Sequence, residues 1–359
     1  MRAVYIHIPF CNSICSYCDF CKFLNYDKWT KPYLKALESE IDEYYEGDKI
    51  KTIYIGGGTP SALHEKYIDE LFHIIRKFDI VKDAEITFEC NVNDITESKL
   101  MLLKKHNVNR ISIGVESFNK YNLKFLNRKH DKKLVFEKIN LCKNYFDNIN
   151  VDLIYALPTE NMSVLRSDIN NLLKLDIQHI STYSLIIEEN TALYVKKVKN
   201  VSEELDAKMY KYICKKLFKK GFIHYEVSNF AKEGYESRHN LTYWNNEEYY
   251  GFGVGAHGYI NNMRYENTRS LNKYFDCKFR LEELLVSIQE EMENEVILGL
   301  RKLKGVSMSK FYKKYEVDIK DVFKIENAIK LGYLVEKDDY LYIPEDKIYI
   351  MNEIINMIM

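Results

Sequence analysis

Read for its apolar positions, the first 220 residues repeat one pattern six times. A short apolar run is followed by a longer stretch in which apolar residues return every three or four positions. The short runs fall at residues 3–8, 51–55, 85–89, 110–114, 148–154 and 178–184. The longer stretches fall at 28–45, 66–78, 96–106, 132–145, 163–175 and 203–219. Period-two runs of this length predict strands and the three-to-four period predicts amphipathic helices. Strands alternating with such helices predict βαβ units around a parallel sheet. Six units predict an α/β partial (β/α)6 barrel, short of the closed eightfold form.

In parallel α/β sheets the chemistry gathers at the carboxyl ends of the strands. Here those ends carry a cysteine loop from Cys11, the turn Gly56-Gly57-Gly58-Thr59-Pro60, Glu89, Glu116, Asp152 and Ser184. The pattern therefore brings six chemically distinctive features to one expected rim.

After residue 220 the repeat stops. Residues 221–280 form a Tyr-, Asn- and Gly-rich extension that contains His239-Asn240-Leu241-Thr242-Tyr243-Trp244. Helical periodicity returns in 281–359, followed by two short apolar runs around Lys337-Asp338-Asp339. Helices ending in a hairpin predict a small winged-helix-like α+β module. Three segments are thus expected: a barrel over 1–220, the extension over 221–280 and the module over 281–359.

Composition adds exclusions. With 46 % apolar and 29 % charged residues among 359, the chain is ordinary globular material. A formal net charge of -1 gives no global field toward nucleic acid. The 29 tyrosines are dispersed and build no base-stacking platform. Lys196-Lys197-Val198-Lys199 reads as a solvated face. No apolar run reaches the roughly 20 residues of a membrane span, and no secretory or organellar leader pattern opens the chain. The expected location is cytoplasmic.

Four of the eight cysteines, Cys11, Cys15, Cys18 and Cys21, lie within eleven residues. Such clustering in a large chain points to metal rather than to a disulfide framework. The CxxxCxxC spacing of Cys11, Cys15 and Cys18 puts three thiolates on one loop. They can hold three irons of a 4Fe–4S cubane and leave the fourth iron open for S-adenosylmethionine (SAM). A zinc site using all four cysteines is the alternative, although zinc ligands are usually paired far apart in sequence. Cys21 is open to three readings: bystander, redox-sensitive thiol or alternative ligand. The glycine triplet lets backbone approach a ligand, its N–H and C=O groups facing the methionyl carboxylate and ammonium. Glu89 reads either as an acceptor for SAM or as a solvated strand-end carboxylate. His239 with Tyr243 and Trp244 reads either as an axial ligand beside a flat macrocycle or as a loop histidine and an anchoring indole.

These residues, taken together, resemble a known family. Tyr5-Ile6-His7-Ile8-Pro9-Phe10-Cys11, Tyr17-Cys18-Asp19-Phe20, the Gly56–Pro60 turn, Asn109 to Val115 and Asp152 to Pro158 are similar to the HemN/HemW branch of radical-SAM proteins. Leu298 to Gly305 resembles the C-terminal module of that branch. The resemblance implies that Tyr5, Gly57 and Glu89 contact the cluster-bound SAM. It places Tyr17, Gly58, Thr59, Glu116, Arg128, Asp152 and Ser184 where the oxidases of the branch hold a second SAM. His239 to Trp244 is similar to the HNxxYW motif of HemW-type haem chaperones, which implies haem binding. Ten residues before Cys11, fewer than the oxidases carry, also suit the chaperones.

The expectation is a HemW-like haem chaperone that binds a 4Fe–4S cluster, SAM and haem and delivers haem to a respiratory haem protein. Its expected partners are haem or a porphyrin, that acceptor, a reductant such as flavodoxin or ferredoxin, and a peripheral membrane partner; nucleic acid is not among them. The rivals are an oxygen-independent coproporphyrinogen III oxidase and a non-catalytic metal-binding module. Three departures from the family pattern stand out: Glu116 where the family has Gln, Cys90 and Val92 after Glu89, and Cys21 itself.

Overall fold

The computed structural model describes residues 1–24 and 27–359. Contacts divide the chain into two compact units, one of residues 1–209 with 248–284, the other of 210–247 with 285–359. The stretch 221–280 is thus shared between the two.

In the first unit the six predicted strands form β1 (Arg2–Ile8), β2 (Lys49–Gly57), β3 (Asp79–Asn91), β4 (Arg110–Glu116), β5 (Ile149–Tyr155) and β6 (His179–Ser184). Each pairs in parallel with the next. The crossovers are α1 (Asp27–Tyr44), α2 (Glu65–Ile75), α3 (Glu97–Lys105), α4 (Lys132–Lys143) and α5 (Met162–Leu173), with α6 (Glu203–Phe218) after β6. Several helices start where the chain offers a capping side chain: Thr96 accepts from the Lys99 amide, Asp131 from Leu134 and Asn161 from Ser163 and Val164. Six parallel strands in sequence order give the expected α/β partial-barrel arrangement.

The first strand gains a neighbour that the alternation did not announce. Tyr249–Phe252 pairs with β1 in parallel, and the sheet then continues through His257–Ile260, Met263–Asn267 and Arg280–Leu285. Gly251 and Gly258 are required there: a Cβ on Gly251 would stand 1.8 Å from the His257 carbonyl oxygen, and one on Gly258 would enter the Tyr265 ring. Buried Glu40 of α1 ties this extension down. It accepts from the Gly253 amide, Asn267 Nδ2 and the Tyr274 hydroxyl, and pairs with Arg280 at 3.3 Å. A fully buried carboxylate is tolerable only with such a complete set of donors.

The strands explain where the core and the site lie. One face of β3 to β6 presents Ile86 and Phe88, Ile111 and Ile113, Val151 and Leu153, and Ile180, all buried. The opposite face is polar. The pairing register aligns Glu89 with Ser112, Ser112 with Asn150, Asn150 with His179, and Asp152 with both Gly114 and Ser181. Residues in register share a face, so a polar row crosses the sheet toward its carboxyl end.

The second unit holds a hairpin, Ile223–Glu226 with Asn229–Ala231, and the short helix Arg238–Trp244 capped by Ser237. It also holds the helix Ile288–Gly299, opened by a capping box between Ser287 and Glu290. A three-stranded sheet follows, with Val306–Ser307 and Val335–Lys337 flanking Tyr340–Tyr342. Asp338 and Asp339 both have positive φ, as a two-residue type I′ hairpin turn demands. Short helices around that hairpin complete the expected α+β module. Among the described residues, no helix is long and apolar enough to cross a membrane.

Candidate functional site

The cysteine loop leaves β1 through Pro9 and is closed at its base by parallel pairing of Phe10–Cys11 with Phe23–Leu24. Its far side is fixed by Ser16, whose amide and hydroxyl donate to the carbonyls of Leu126 and Phe125. Cys11 is buried, whereas Cys15 and Cys18 are partly exposed and line a cavity of about 680 Å³. Thr59 Oγ1 donates to Cys11 Sγ at 3.5 Å, and Arg128 Nη1 to Cys15 Sγ at 3.6 Å. Lys22 Nζ clamps the loop by donating to the Cys18 carbonyl at 2.6 Å. Burial raises the Cys11 thiol and pushes Cys18 to about 11, so iron binding would have to displace the protons.

Cys21 belongs to a different environment. Its carbonyl lies 2.7 Å from His7 Nε2, and its thiol faces the Arg269 carbonyl oxygen at 3.7 Å. It packs so closely on Gly255 that a Cβ there would stand 2.5 Å from Cys21 Cβ. The contacts of Cys21 are thus packing on Gly255 and a backbone hydrogen bond with His7.

The glycine turn is held against the loop. Gly58 and Thr59 donate their amides to the carbonyls of Ile8 and Phe10, at 2.8 and 2.9 Å. Gly57 donates its amide to Glu89 Oε2 at 3.1 Å. These three amides are engaged internally, which corrects the expectation that the turn's N–H groups face a ligand. The glycines are needed for the close approach itself: a Cβ on Gly58 would sit 2.8 Å from the Pro9 carbonyl carbon, and one on Gly57 2.5 Å from the His7 ring. His7 Nδ1 lies 2.9 Å from the Tyr5 hydroxyl, and burial lowers its pKa to about 4, so the ring is neutral. The Nε2 hydrogen goes to Cys21 and Nδ1 accepts from Tyr5.

Beyond the turn, the polar row gathers three carboxylates and two guanidinium groups. Glu89 accepts from the Tyr54 hydroxyl at 2.6 Å, and burial pushes its pKa up to about 7. Asp152 accepts from Asn150 Nδ2 at 2.8 Å and from Ser112 at 3.4 Å; burial raises it too. His179 supports Asn150 Oδ1 at 2.6 Å. Glu116, 7 % exposed and with a left-handed φ of 65°, accepts from the Tyr17 hydroxyl at 3.1 Å. Burial pushes it to about 7, opposed by Arg128, whose Nη2 lies 4.0 Å away and also donates to the Gly114 carbonyl. A Cβ on Gly114 would meet both groups, at 2.8 and 3.2 Å. Arg110, 2 % exposed, supplies the second positive field acting on Glu89 and Asp152. Carboxyls raised by burial among fixed cations suit a ligand carrying both charge signs.

The structure thus brings Tyr5, Tyr17, Gly57, Gly58, Thr59, Glu89, Glu116, Arg128 and Asp152 into one contact network with the cysteine loop. Ser184 ends β6 as expected, but its hydroxyl is spent on Asp206 Oδ2 of α6 at 2.5 Å. Tyr54, Asn150 and His179 are additional members outside the motifs, and His7 and Arg110 are members within them to which spacing assigns no role. Their signal was present as polar residues two apart in strands that a parallel sheet should bury on both faces.

His239, Tyr243 and Trp244 lie in the second unit, on the helix Arg238–Trp244. His239 is 1 % exposed, with Nε2 at 2.7 Å from the Tyr243 hydroxyl. The Arg301 guanidinium lies 4.8 Å from the Trp244 ring centre.

This fold with its cysteine loop is that of a radical-SAM protein, and residues 5–172 match the model described as the Radical SAM superfamily. Residues 286–346 match the HemN C-terminal domain. The chain is 40 % identical to "Heme chaperone HemW" of Lactococcus lactis, over 90 % of this chain and 87 % of that one. It is 37 % identical to the Bacillus subtilis protein of the same name, over 99 % and 98 %, and 30 % identical to that of Escherichia coli, over 99 % and 97 %. The chain belongs to the HemW family. Coproporphyrinogen III oxidase (HemN) from Escherichia coli shares the fold, with a TM-score of 0.88 and 21 % identity over 99 % of this chain and 89 % of that one.

Membership of the superfamily implies a 4Fe–4S cluster and SAM. Among the described residues no three His, Cys, Asp or Glu side chains converge on a single ion. A cubane needs less convergence, because each thiolate takes a different iron. Three thiols on one clamped loop, two of them facing a cavity, fit that group.

Proposed function

We propose that this protein is a haem chaperone: it binds haem and passes it to a haem-accepting respiratory protein. Cys11, Cys15 and Cys18 would hold the cluster, and Tyr5, Gly57 and Glu89 would contact SAM beside it. When bound, the cluster and SAM would supply one-electron chemistry that drives or regulates the transfer, with a flavodoxin- or ferredoxin-like protein as reductant. The work is cytoplasmic, with peripheral contact to a membrane-bound acceptor. The observation that carries this reading is similarity over almost the whole chain to proteins named heme chaperone.

Haem contact falls to His239, Tyr243 and Trp244. Axial ligation through His239 Nε2 requires the 2.7 Å contact with Tyr243 to open, a cost of roughly 1 kcal/mol. His239→Ala should therefore weaken haem binding and leave cluster absorbance intact, whereas Tyr243→Phe, which removes the competitor, should hold or raise haem affinity. Titration of haem into the reconstituted variants tests this, and unchanged affinity in His239→Ala would remove the ligand role.

A second reading, decarboxylation of coproporphyrinogen III, draws support from the retained Arg128 and Asp152, and is opposed by Glu116, a carboxylate where the family has the amide of Gln. Arg128 and Asp152, with Tyr17, Gly58 and Thr59, would then hold a second SAM. Ser184 would join them only by releasing Asp206.

A further inference from the structure

Two cations of the second unit have no role in the reading above. Arg301 and Lys302 are consecutive, and both touch the carboxyl-terminal end of the helix Arg238–Trp244. The Arg301 guanidinium lies over the Trp244 ring, 4.8 Å from its centre. Lys302 Nζ donates to Asn245 Oδ1 at 2.5 Å. The backbone beneath them is fixed to the hairpin of Ile223–Glu226 with Asn229–Ala231. The Val227 amide donates to the Arg301 carbonyl at 3.0 Å, and the Leu303 amide to the Tyr225 carbonyl at 3.2 Å. Both side chains therefore leave a backbone that is already held in place.

Both cations are half-buried, and neither has an ion pair among the described residues. Arg301 Nε and Trp244 Nε1 are buried donors without a hydrogen-bond partner. Glu226, the acid whose field reaches Arg301, is itself fully buried. It accepts from Asn229 Nδ2 through one oxygen, and its other oxygen has no partner. Burial raises its pKa, which weakens it as a counter-ion. Burial lowers Lys302 to about 8, although the fields of Glu295 and Glu247 oppose the shift from beyond ion-pair distance. A cation taken out of water keeps a desolvation cost that an anion in contact would recover. A guanidinium recovers it best with a carboxylate, through two parallel N–H···O bonds. Two such cations against neighbouring residues of one helix end fit a ligand that carries two carboxylates.

We propose that Arg301 and Lys302 form the propionate site for haem, Arg301 binding one carboxylate and Lys302 the other. The inference rests on the haem-chaperone reading and deepens it, since Trp244 is among the haem contacts assigned there. Haem has the matching chemistry, because its two propionates leave one edge of a flat apolar ring. A ring packed beside Trp244 brings that edge to the two cations, and the Trp244 face holds the Arg301 fork in place.

The test titrates the full-length chain with haem and, separately, with haem dimethyl ester, whose propionates are capped and uncharged. Both titrations are followed by the Soret band in the same detergent solution. Wild type should bind haem about 10-fold or more tighter than the ester, as expected for charged hydrogen bonds. Arg301→Gln/Lys302→Gln should bind haem about 10-fold or more weaker than wild type does, and the ester as wild type does, so that the preference disappears. Arg301→Lys, which keeps the charge and loses the fork, should fall between the two. Equal wild-type affinities for haem and ester would overturn the proposal, and that arm needs no variant to fold. So would a double variant that weakens both ligands by the same factor, the result a purely structural role predicts. Failure of the chaperone reading looks different: wild type then binds neither ligand, which removes that reading and the propionate site with it.

Discussion

Gly57→Ala isolates the contact that holds the glycine turn to the cysteine loop. Gly57 has φ of +108°, a conformation costing an L-residue about 1–3 kcal/mol. Its new Cβ would stand 2.5 Å from two atoms of the His7 ring, about 1 Å inside ordinary contact. His7 cannot swing away freely, because its two nitrogens are engaged with Tyr5 at 2.9 Å and Cys21 at 2.7 Å. Breaking one buried bond and leaving its partner unsatisfied costs about 1–3 kcal/mol. Together these give a loss of about 2–6 kcal/mol, out of the roughly 5–15 kcal/mol by which domains are ordinarily stable. Gly47→Ala is the matched control: its φ is +82°, but nothing lies within 4 Å of the added carbon. Urea unfolding of both variants and the wild type, followed by circular dichroism, should show the conformational loss of about 1–3 kcal/mol alone for Gly47→Ala and a loss larger by about a further 1–3 kcal/mol for Gly57→Ala. Equal losses would mean that His7 yields freely and that the turn is not locked by this contact.

Two further substitutions probe the site. Glu116 has its pKa raised from 4.5 to about 7, so its contribution to stability is fully present below 4.5 and is lost as pH rises through 7; the step corresponds to roughly 3 kcal/mol. Glu116→Gln should remove that part of the slope in denaturant midpoints measured between pH 5 and pH 8.5, and an unchanged slope would show that the carboxyl titrates normally. Anaerobic reconstitution of Cys21→Ala should retain the iron–sulfur absorbance, and that of Cys15→Ala should lose it; the reverse pattern would make Cys21 the ligand.

Local pattern carried most of the barrel. β1 to β6 and α1 to α6 fall within a few residues of their expected positions, because βα units repeat a local signal, except that β3 begins six residues earlier, at Asp79. Lys120–Phe125 is only six residues long, too short to show a period. Tyr249–Phe252 pairs with β1 across more than 240 residues of sequence, and nothing in its Gly-rich surroundings indicates that partner. The site was legible at its motifs and not at its supports. The spacing of Cys11, Cys15 and Cys18 marks them out, Gly57 and Glu89 take their expected roles from the family resemblance, and Arg110, Asn150 and His179 become a network only once register sets them side by side. The hydrogen bonds that occupy Ser184 and the amides of Gly57, Gly58 and Thr59 are consequences of packing.

The most direct test of the chaperone reading starts from the chain reconstituted anaerobically to about four irons. It is offered haem in one experiment and, in a second, coproporphyrinogen III with SAM and reductant. Haem should bind, with a Soret band altered by His239→Ala, and no protoporphyrinogen should form. Sustained protoporphyrinogen formation would contradict the chaperone reading and establish the oxidase in its place.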